Sequence, residues 1–241
     1  MSEAGVVTID RVNLAAPKGS VHELERFYCD LLGIPPVPGD PAALALGIGS
    51  AVLEFSAVAG TEQPFYHFAL LVPGNRFEAA HTWLAGHTAL LPHLDTGRTV
   101  IDFDAWDARG CYCHDPAGNI VELIAHRAIG ETEDVTGRFS ADELIGISEI
   151  GVVTSDPVGA VKALHSDLGL RLWFGDVEGA MKLGFVGRQA HTLIVSAIGR
   201  GWLPTGRPAE VHPVDVTLAG KRTAQTSLST DSHRIQMMPV S

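Results

Sequence analysis

Apolar positions along the chain fall into short strand-like runs interrupted by single helical stretches, in an order that repeats. Residues 7–14 read as a strand. Val21, Leu24, Phe27, Tyr28, Leu31 and Leu32 then recur at helical spacing, opened by Ser20 or His22 and stopped by Gly33. Runs at 44–46 and 51–55, separated by Gly47-Ile48-Gly49-Ser50, predict a hairpin. The order then returns, with a strand over 66–72, a helix over 77–84, and strands over 99–103, 110–114 and 120–125. Beyond a non-periodic stretch from Arg127 to Glu143, a third pass predicts a strand over 147–153, a helix over 158–168 ending at Gly169, and strands over 172–174, 181–186 and 192–196. A fourth opens at 211–218, but a polar stretch from Lys221 to Asp231 stands in place of its helix before the last run, 234–238.

A strand–helix–strands unit cannot cover its own sheet, so consecutive copies are expected to pair. The expected fold class is α+β, built of tandem βαβββ modules paired into cupped mixed sheets, with the fourth module degenerate. The expected organisation is a first half over residues 1–128, a linker over 129–144 and a second half over 145–241.

The most informative local feature is Asp115-Pro116-Ala117-Gly118-Asn119 followed by Ile120-Val121-Glu122-Leu123-Ile124. Asp and Pro open a tight turn, Gly supplies positive φ, and the β-branched run behind them continues as a strand. Alternation puts Ile120, Glu122 and Ile124 on one face and Val121 and Leu123 on the other. A carboxylate between two isoleucines is costly to bury unless a cation meets it.

Composition narrows the partners. The chain has 241 residues, 46% hydrophobic, with a formal net charge of −11, which argues against nucleic acid and anionic membrane surfaces. No signal-like or membrane-spanning segment is evident, so a cytoplasmic location is expected. Cys29, Cys111 and Cys113 are expected as reduced thiols, since the last two stand two apart on one strand. There is no phosphate loop, nucleophile elbow or dinucleotide fingerprint. The segment 199–208, with Arg200, Trp202 and Arg207 among glycines and prolines, reads either as a ligand clamp or as an ordered connection packed by Trp202. Trp106, flanked by Asp104 and Asp107, invites the same two readings.

Three stretches together resemble the vicinal oxygen chelate superfamily, which includes glyoxalase I, extradiol dioxygenases and bleomycin-resistance proteins. They are Phe27-Tyr28-Cys29-Asp30-Leu31-Leu32-Gly33, Tyr66-His67-Phe68-Ala69, and Asp115 through Glu122. The resemblance implies a divalent metal, Fe, Mn, Ni or Zn, held by residues on opening and closing strands of paired modules. Carried over by position, Glu54, His67 and Glu122 are the candidate ligands, with Glu122 also the candidate catalytic proton carrier. Arg11 stands where the family often has His or Gln, and Arg11 and Asn13 are the candidate substrate-binding residues. Arg11 admits a second reading, as an internal cation that replaces the metal by pairing with Glu54 and Glu122. Glu149 and His212, with Gln236, form a secondary set in the second half. The resemblance implies an enzyme acting on a small molecule with vicinal oxygens, as a lyase, isomerase or ring-cleavage dioxygenase. The alternative is a metal-free, antibiotic-type binding or resistance protein. A homodimer is compatible with either.

Overall fold

The alternation read along each run becomes strand faces, and the glycines become element ends. The computed structural model describes residues 7–60, 62–127, 129–130, 136–179, 182–228 and 233–239. The first module comprises β1 (Thr8–Ala16), α1 (Val21–Glu25), β2 (Ala43–Ile48) and β3 (Ala51–Ala57). A π-helical turn, Arg26–Leu31, extends α1, and Gly33 at φ +73° stops it. The second module comprises β4 (His67–Leu71), α2 (Phe77–His87), β5 (Val100–Phe103), β6 (Ala108–His114) and β7 (Ile120–His126). The third comprises β8 (Gly146–Thr154), α3 (Pro157–Leu168), β9 (Leu172–Gly175), β10 (Leu183–Arg188) and β11 (His191–Ala197). Proline begins α3, and the Asp156 carboxylate caps it by accepting from the Gly159 N–H at 2.9 Å. A short hairpin, β12 (Gly201–Trp202) and β13 (Arg207–Pro208), leads to the fourth module, β14 (Val214–Gly220), β15 (Ala224–Leu228) and β16 (His233–Pro239). Among the described residues that module has no helix, and β14 passes to β15 through residues 221–223 alone. Part of its polar stretch is therefore a strand, β15.

Pairing of consecutive modules is corrected by the sheet order. One sheet runs β15-β16-β14-β1-β3-β2 and the other β5-β6-β7-β4-β8-β11-β10-β9. The first module thus pairs with the fourth, and the second with the third. In both sheets two opening strands lie antiparallel at the centre, β1 beside β14 and β4 beside β8, each flanked in parallel by its own closing strand. The strand compositions explain the choice. β4 and β8 are buried along their whole length, as suits central strands covered on both faces, whereas β1 and β14 alternate buried with half-buried positions. Like strands pair with like.

The two sheets share one core. Val12, Leu14, Leu53, Phe55, Val216 and Leu218 from the first meet Phe68, Leu70, Val121, Leu123, Ile150 and Val152 from the second, together with Leu24, Tyr28, Leu84 and Leu164 from the helices. Cys111 and Cys113 are free thiols on this face. The connection ahead of β8 is anchored from residue 137 onward. Phe139 packs on Trp83 at 5.3 Å, and Glu143 pairs with the buried Arg76 at 2.7 Å. No helix among the described residues is long and apolar enough to cross a membrane.

Candidate metal centre

The turn before β7 is built by one buried carboxylate. Asp115 Oδ1 accepts from the backbone N–H of Ala117 and Asn119, both at 3.0 Å, and Oδ2 accepts from Asn119 Nδ2 at 2.7 Å and the Tyr28 hydroxyl at 2.8 Å. Gly118 takes φ +80°, a conformation that glycine adopts without strain. Asn119 Oδ1 in turn accepts from the Tyr66 N–H at 2.8 Å, tying the turn to the start of β4. The strands that carry Glu122 and His67 are therefore fixed to each other at their beginnings.

Alternation then turns Glu122 away from the core. Val121 and Leu123 face the shared core, while Ile120, with Tyr112 and Trp202, belongs to a second apolar cluster on the opposite face. Ala69 is the cross-strand partner of both Glu122 and Glu149. Its methyl group leaves room for the two carboxylates to lean together in front of β4. His67, two residues along, completes the group. The ligand-type atoms of His67, Glu122 and Glu149 all lie within 4.8 Å of one another, and all three residues are buried. His67 Nε2 stands 3.4 Å from Glu122 Oε2.

Chemistry and geometry both suit a cation here. His67 Nδ1 lies 3.2 Å from the Ile120 carbonyl, which can only accept, so Nδ1 carries the hydrogen and Nε2 presents its lone pair to the cavity. Glu122 Oε1 is buried and has no hydrogen-bond partner, a state that is costly unless something positive meets it. Burial pushes the Glu122 carboxyl well above its ordinary range, reinforced by Glu149. Burial likewise pushes Glu149 up to about 8 and His67 down to about 4. Tyr112 stands across from Glu122 on β6. Two carboxyls and a neutral imidazole with an unpartnered oxygen form a donor set that fits Fe²⁺, Mn²⁺, Ni²⁺ or Zn²⁺. The corresponding fourth position is apolar. Ile194 on β11 pairs with Gly151, two residues beyond Glu149, as Glu122 on β7 pairs with Ala69, two beyond His67.

Glu54 as the third ligand is corrected by the sheet order, since β3 belongs to the other sheet. There Glu54 Oε2 accepts from Arg11 Nη1 at 2.7 Å and Oε1 from Asn13 Nδ2 at 2.8 Å. Arg11 and Asn13, expected to bind substrate, instead hold this carboxylate, and Arg11 makes no pair with Glu122. Asp215 and Arg234 form a second ion pair on the same polar face, and Gln236 donates to Thr217. In register, Arg11, Glu54, Asp215 and Gln236 correspond to His67, Glu122, Glu149 and Ile194. The first sheet thus meets its carboxylates with arginines of its own. His212 is not beside Glu149. It lies in the loop before β14, 5.9 Å from the rings of both Phe65 and Tyr66 and 3.3 Å from Glu210. The strand begins later than expected because Pro213 has no N–H to pair.

The triad opens into a cavity of about 420 Å³ walled by Phe103, Trp106, Phe174, Phe185 and Trp202, with Arg200, Lys182 and Asp176 also lining it. Trp106 packs on Phe103, Phe174 and Phe185 at 4.7–5.2 Å between ring centres. Trp202 lies 5.1 Å from the His67 ring. Gly151 makes room for it, since a Cβ there would meet the indole at 2.9 Å. The sequence singles out Trp106 and Trp202 but not Phe103, Phe174 and Phe185 beside them, because these rings come from separate strands of two modules.

Gly110 supplies the most sensitive test of the geometry. A Cβ at 110 would sit 2.2 Å from Glu122 Oε1, so the carboxylate occupies space that only glycine leaves free. Gly110→Ala is expected to rotate Glu122 off the triad and to weaken Zn²⁺ affinity by about 10- to 100-fold. Competition titration against a chromophoric chelator, with circular dichroism to check the fold, measures this.

No protein-family model and no curated protein matches the sequence. Solved structures do. Glyoxalase I from Zea mays superposes with a TM-score of 0.55 over 98% of this chain and 93% of its own, at 12% identity. A candidate dioxygenase from Bacillus subtilis subsp. subtilis strain 168 superposes with a TM-score of 0.54 over 99% of this chain and 87% of its own, at 14% identity. With paired βαβββ modules, cupped sheets and end-to-end superposition on these two structures, the chain has the fold of the vicinal oxygen chelate superfamily.

Proposed function

We propose that the protein is a metal-dependent enzyme acting on a small molecule with vicinal oxygens, as a lyase, isomerase or ring-cleaving dioxygenase, with His67, Glu122 and Glu149 as the ligands. The observation that carries this reading is the convergence of these side chains from three adjacent strands beside an unpartnered carboxylate oxygen, at the base of an apolar cavity. A bound divalent ion supplies Lewis acidity toward two substrate oxygens, with oxygen chemistry added where the ion is redox-active.

The residues around it have separable tasks. The Ile120 carbonyl holds His67 in the tautomer that offers Nε2. Glu122, across from Tyr112 and lining the cavity, is the candidate to take and return a substrate proton. The aromatic wall keeps water from the reacting atoms. Arg11 was the feature that favoured a metal-free binding protein. It lies on the other sheet and pairs with Glu54, so its charge does not oppose a cation at His67.

Metal content of protein purified without chelator or affinity metal tests the reading by plasma mass spectrometry. About one divalent ion per chain is expected in the wild type and in Glu54→Gln, and none in Glu149→Gln. Iron or manganese points to dioxygenase chemistry, nickel or zinc to lyase or isomerase chemistry. Loss of metal in Glu54→Gln with retention in Glu149→Gln, or no uptake by the wild type after reconstitution with all four ions, sinks it.

A further inference from the structure

We infer that the cavity selects an aromatic molecule bearing one carboxylate-type anion, and that Arg200 is the residue that receives this group. The inference rests on reading the cavity as the substrate site.

Arg200 follows β11 and lines the same cavity as His67, Glu122 and Glu149. It is half-buried, and burial acts against its charge, yet an arginine stays protonated. Its Nη1 donates to its neighbour's carbonyl, Gly201, at 2.7 Å, and no ion pair among the described residues includes it. The cavity's other cation, Lys182, lies 3.7 Å from Asp176. Arg200 is thus the cation in this cavity left without a carboxylate.

Charge balance sharpens the point. With a divalent ion present, Glu122 and Glu149 are neutralised as a pair. The guanidinium charge then stays uncompensated inside a cavity walled by aromatic rings, an arrangement that favours an incoming anion able to accept two hydrogen bonds in a plane.

The guanidinium is also held in place. The Gly199 N–H donates to the Ala209 carbonyl and the Ala209 N–H to the Arg200 carbonyl, both at 2.8 Å. The hairpin tip is pinned where the Leu94 N–H meets the Pro204 carbonyl at 3.0 Å, and Arg207 donates to the Gly118 carbonyl at 3.0 Å. The segment that reads from sequence as either clamp or packed connection therefore does both, its backbone fixed and its Arg200 and Trp202 side chains in the cavity. The aromatic rings that line the cavity suit an aromatic body, and a volume of about 420 Å³ admits one or two rings.

Trp106 and Trp202 make binding visible by fluorescence. The probes are benzoate, phenylacetate and 3-phenylpropionate, each against its neutral amide, on protein as purified at pH 7. At least one acid is expected to bind wild type about tenfold or more tightly than its amide. Arg200→Met is expected to lose that preference while keeping the amide affinity, which also reports an intact cavity, and Arg200→Lys to recover part of it. Equal binding of acid and amide by the wild type, no binding of any probe at millimolar concentration, or a preference that survives in Arg200→Met overturns the inference. Metal content measured on the same samples separates the two readings. An Arg200-dependent preference without metal leaves this inference standing and removes the metal enzyme, whereas metal without the preference does the reverse.

Discussion

Metal-free protein is expected to be most stable near pH 6.5, to lose stability on both sides of it, and to recover the alkaline loss when Zn²⁺ is added. Two buried histidines and one half-buried histidine set the acid side. His67, His126 and His191 are each pushed by burial from 6.5 down to about 4. Between those values the unfolded chain binds protons that the native state refuses, so stability rises with pH up to about 6.5. The two carboxyls act in the opposite sense. Glu122 and Glu149 are raised from 4.5, the latter to about 8, so the native state holds protons that the unfolded chain has already released. Their contribution is fully present below 4.5 and drains away as pH climbs toward 8. Above pH 6.5 the histidine contribution has levelled off and only the loss remains, about 2 kcal/mol for Glu149 by pH 8, with Glu122 acting in the same direction. For a chain of this length the Glu149 loss alone lowers the melting temperature by about 4–8 °C. A bound ion holds both carboxylates ionised and abolishes the alkaline slope, and its affinity rises with pH as each proton is displaced. Melting curves from pH 5 to 8, with and without Zn²⁺, read all of this. A flat metal-free profile above pH 6.5 would show that the two carboxyls are not buried together as described.

Asp115→Ala is expected to destabilise the fold by about 3–5 kcal/mol, more than any single change on the outer faces of the sheets. The substitution strands the Tyr28 hydroxyl, the Ala117 and Asn119 N–H groups and the Asn119 amide, all in or beside the core. Tyr28→Phe removes one of those contacts and is expected to cost about 1 kcal/mol. The difference separates the turn from the helix contact. Because Asn119 also holds the Tyr66 N–H, loosening the turn shifts β4 against β7, and His67 against Glu122. Urea unfolding measures the stability. Zn²⁺ affinity of whatever folded Asp115→Ala remains is expected to fall as well, whereas Tyr28→Phe is expected to retain it. A loss of less than about 1 kcal/mol in Asp115→Ala would mean that the turn forms without its carboxylate.

The features legible in the chain were the local ones. The turn residues before Ile120 and the alternation behind them placed Glu122 and Ile124 on one face and Val121 and Leu123 on the other, as the two apolar clusters have them. His67 lay on its expected strand. Pairing between distant strands was not local, and it misassigned Glu54 and left Glu149 in the wrong company. A pointer was nevertheless present in composition. The apolar run Phe68 to Leu71 of β4 marks a strand covered on both sides, and the alternation of Arg11 and Asn13 with Val12 and Leu14, repeated in Asp215 and Thr217 between Val214, Val216 and Leu218, marks strands covered on one, whereas β8, with Ser148 and Glu149, carries no such mark. The aromatic wall had no such pointer. Phe103, Trp106, Phe174 and Phe185 share no period and meet only once two modules have curled toward each other.

The sheet order also governs how a nascent chain can mature. β1 is made before the other strands described, yet its second edge is filled by β14, Thr8 pairing with Ala219 far along the chain. Until most of the sequence has left the ribosome, β1 exposes a row of unpaired backbone groups, the kind of edge that recruits foreign strands. The sheet bearing the triad closes earlier, because β4 through β11 are contiguous in the chain. Vectorial synthesis therefore favours assembly of the central pair of modules before the outer pair clasps around it. A ribosome stalled beyond β11 would carry a formed triad and an unprotected N-terminal strand.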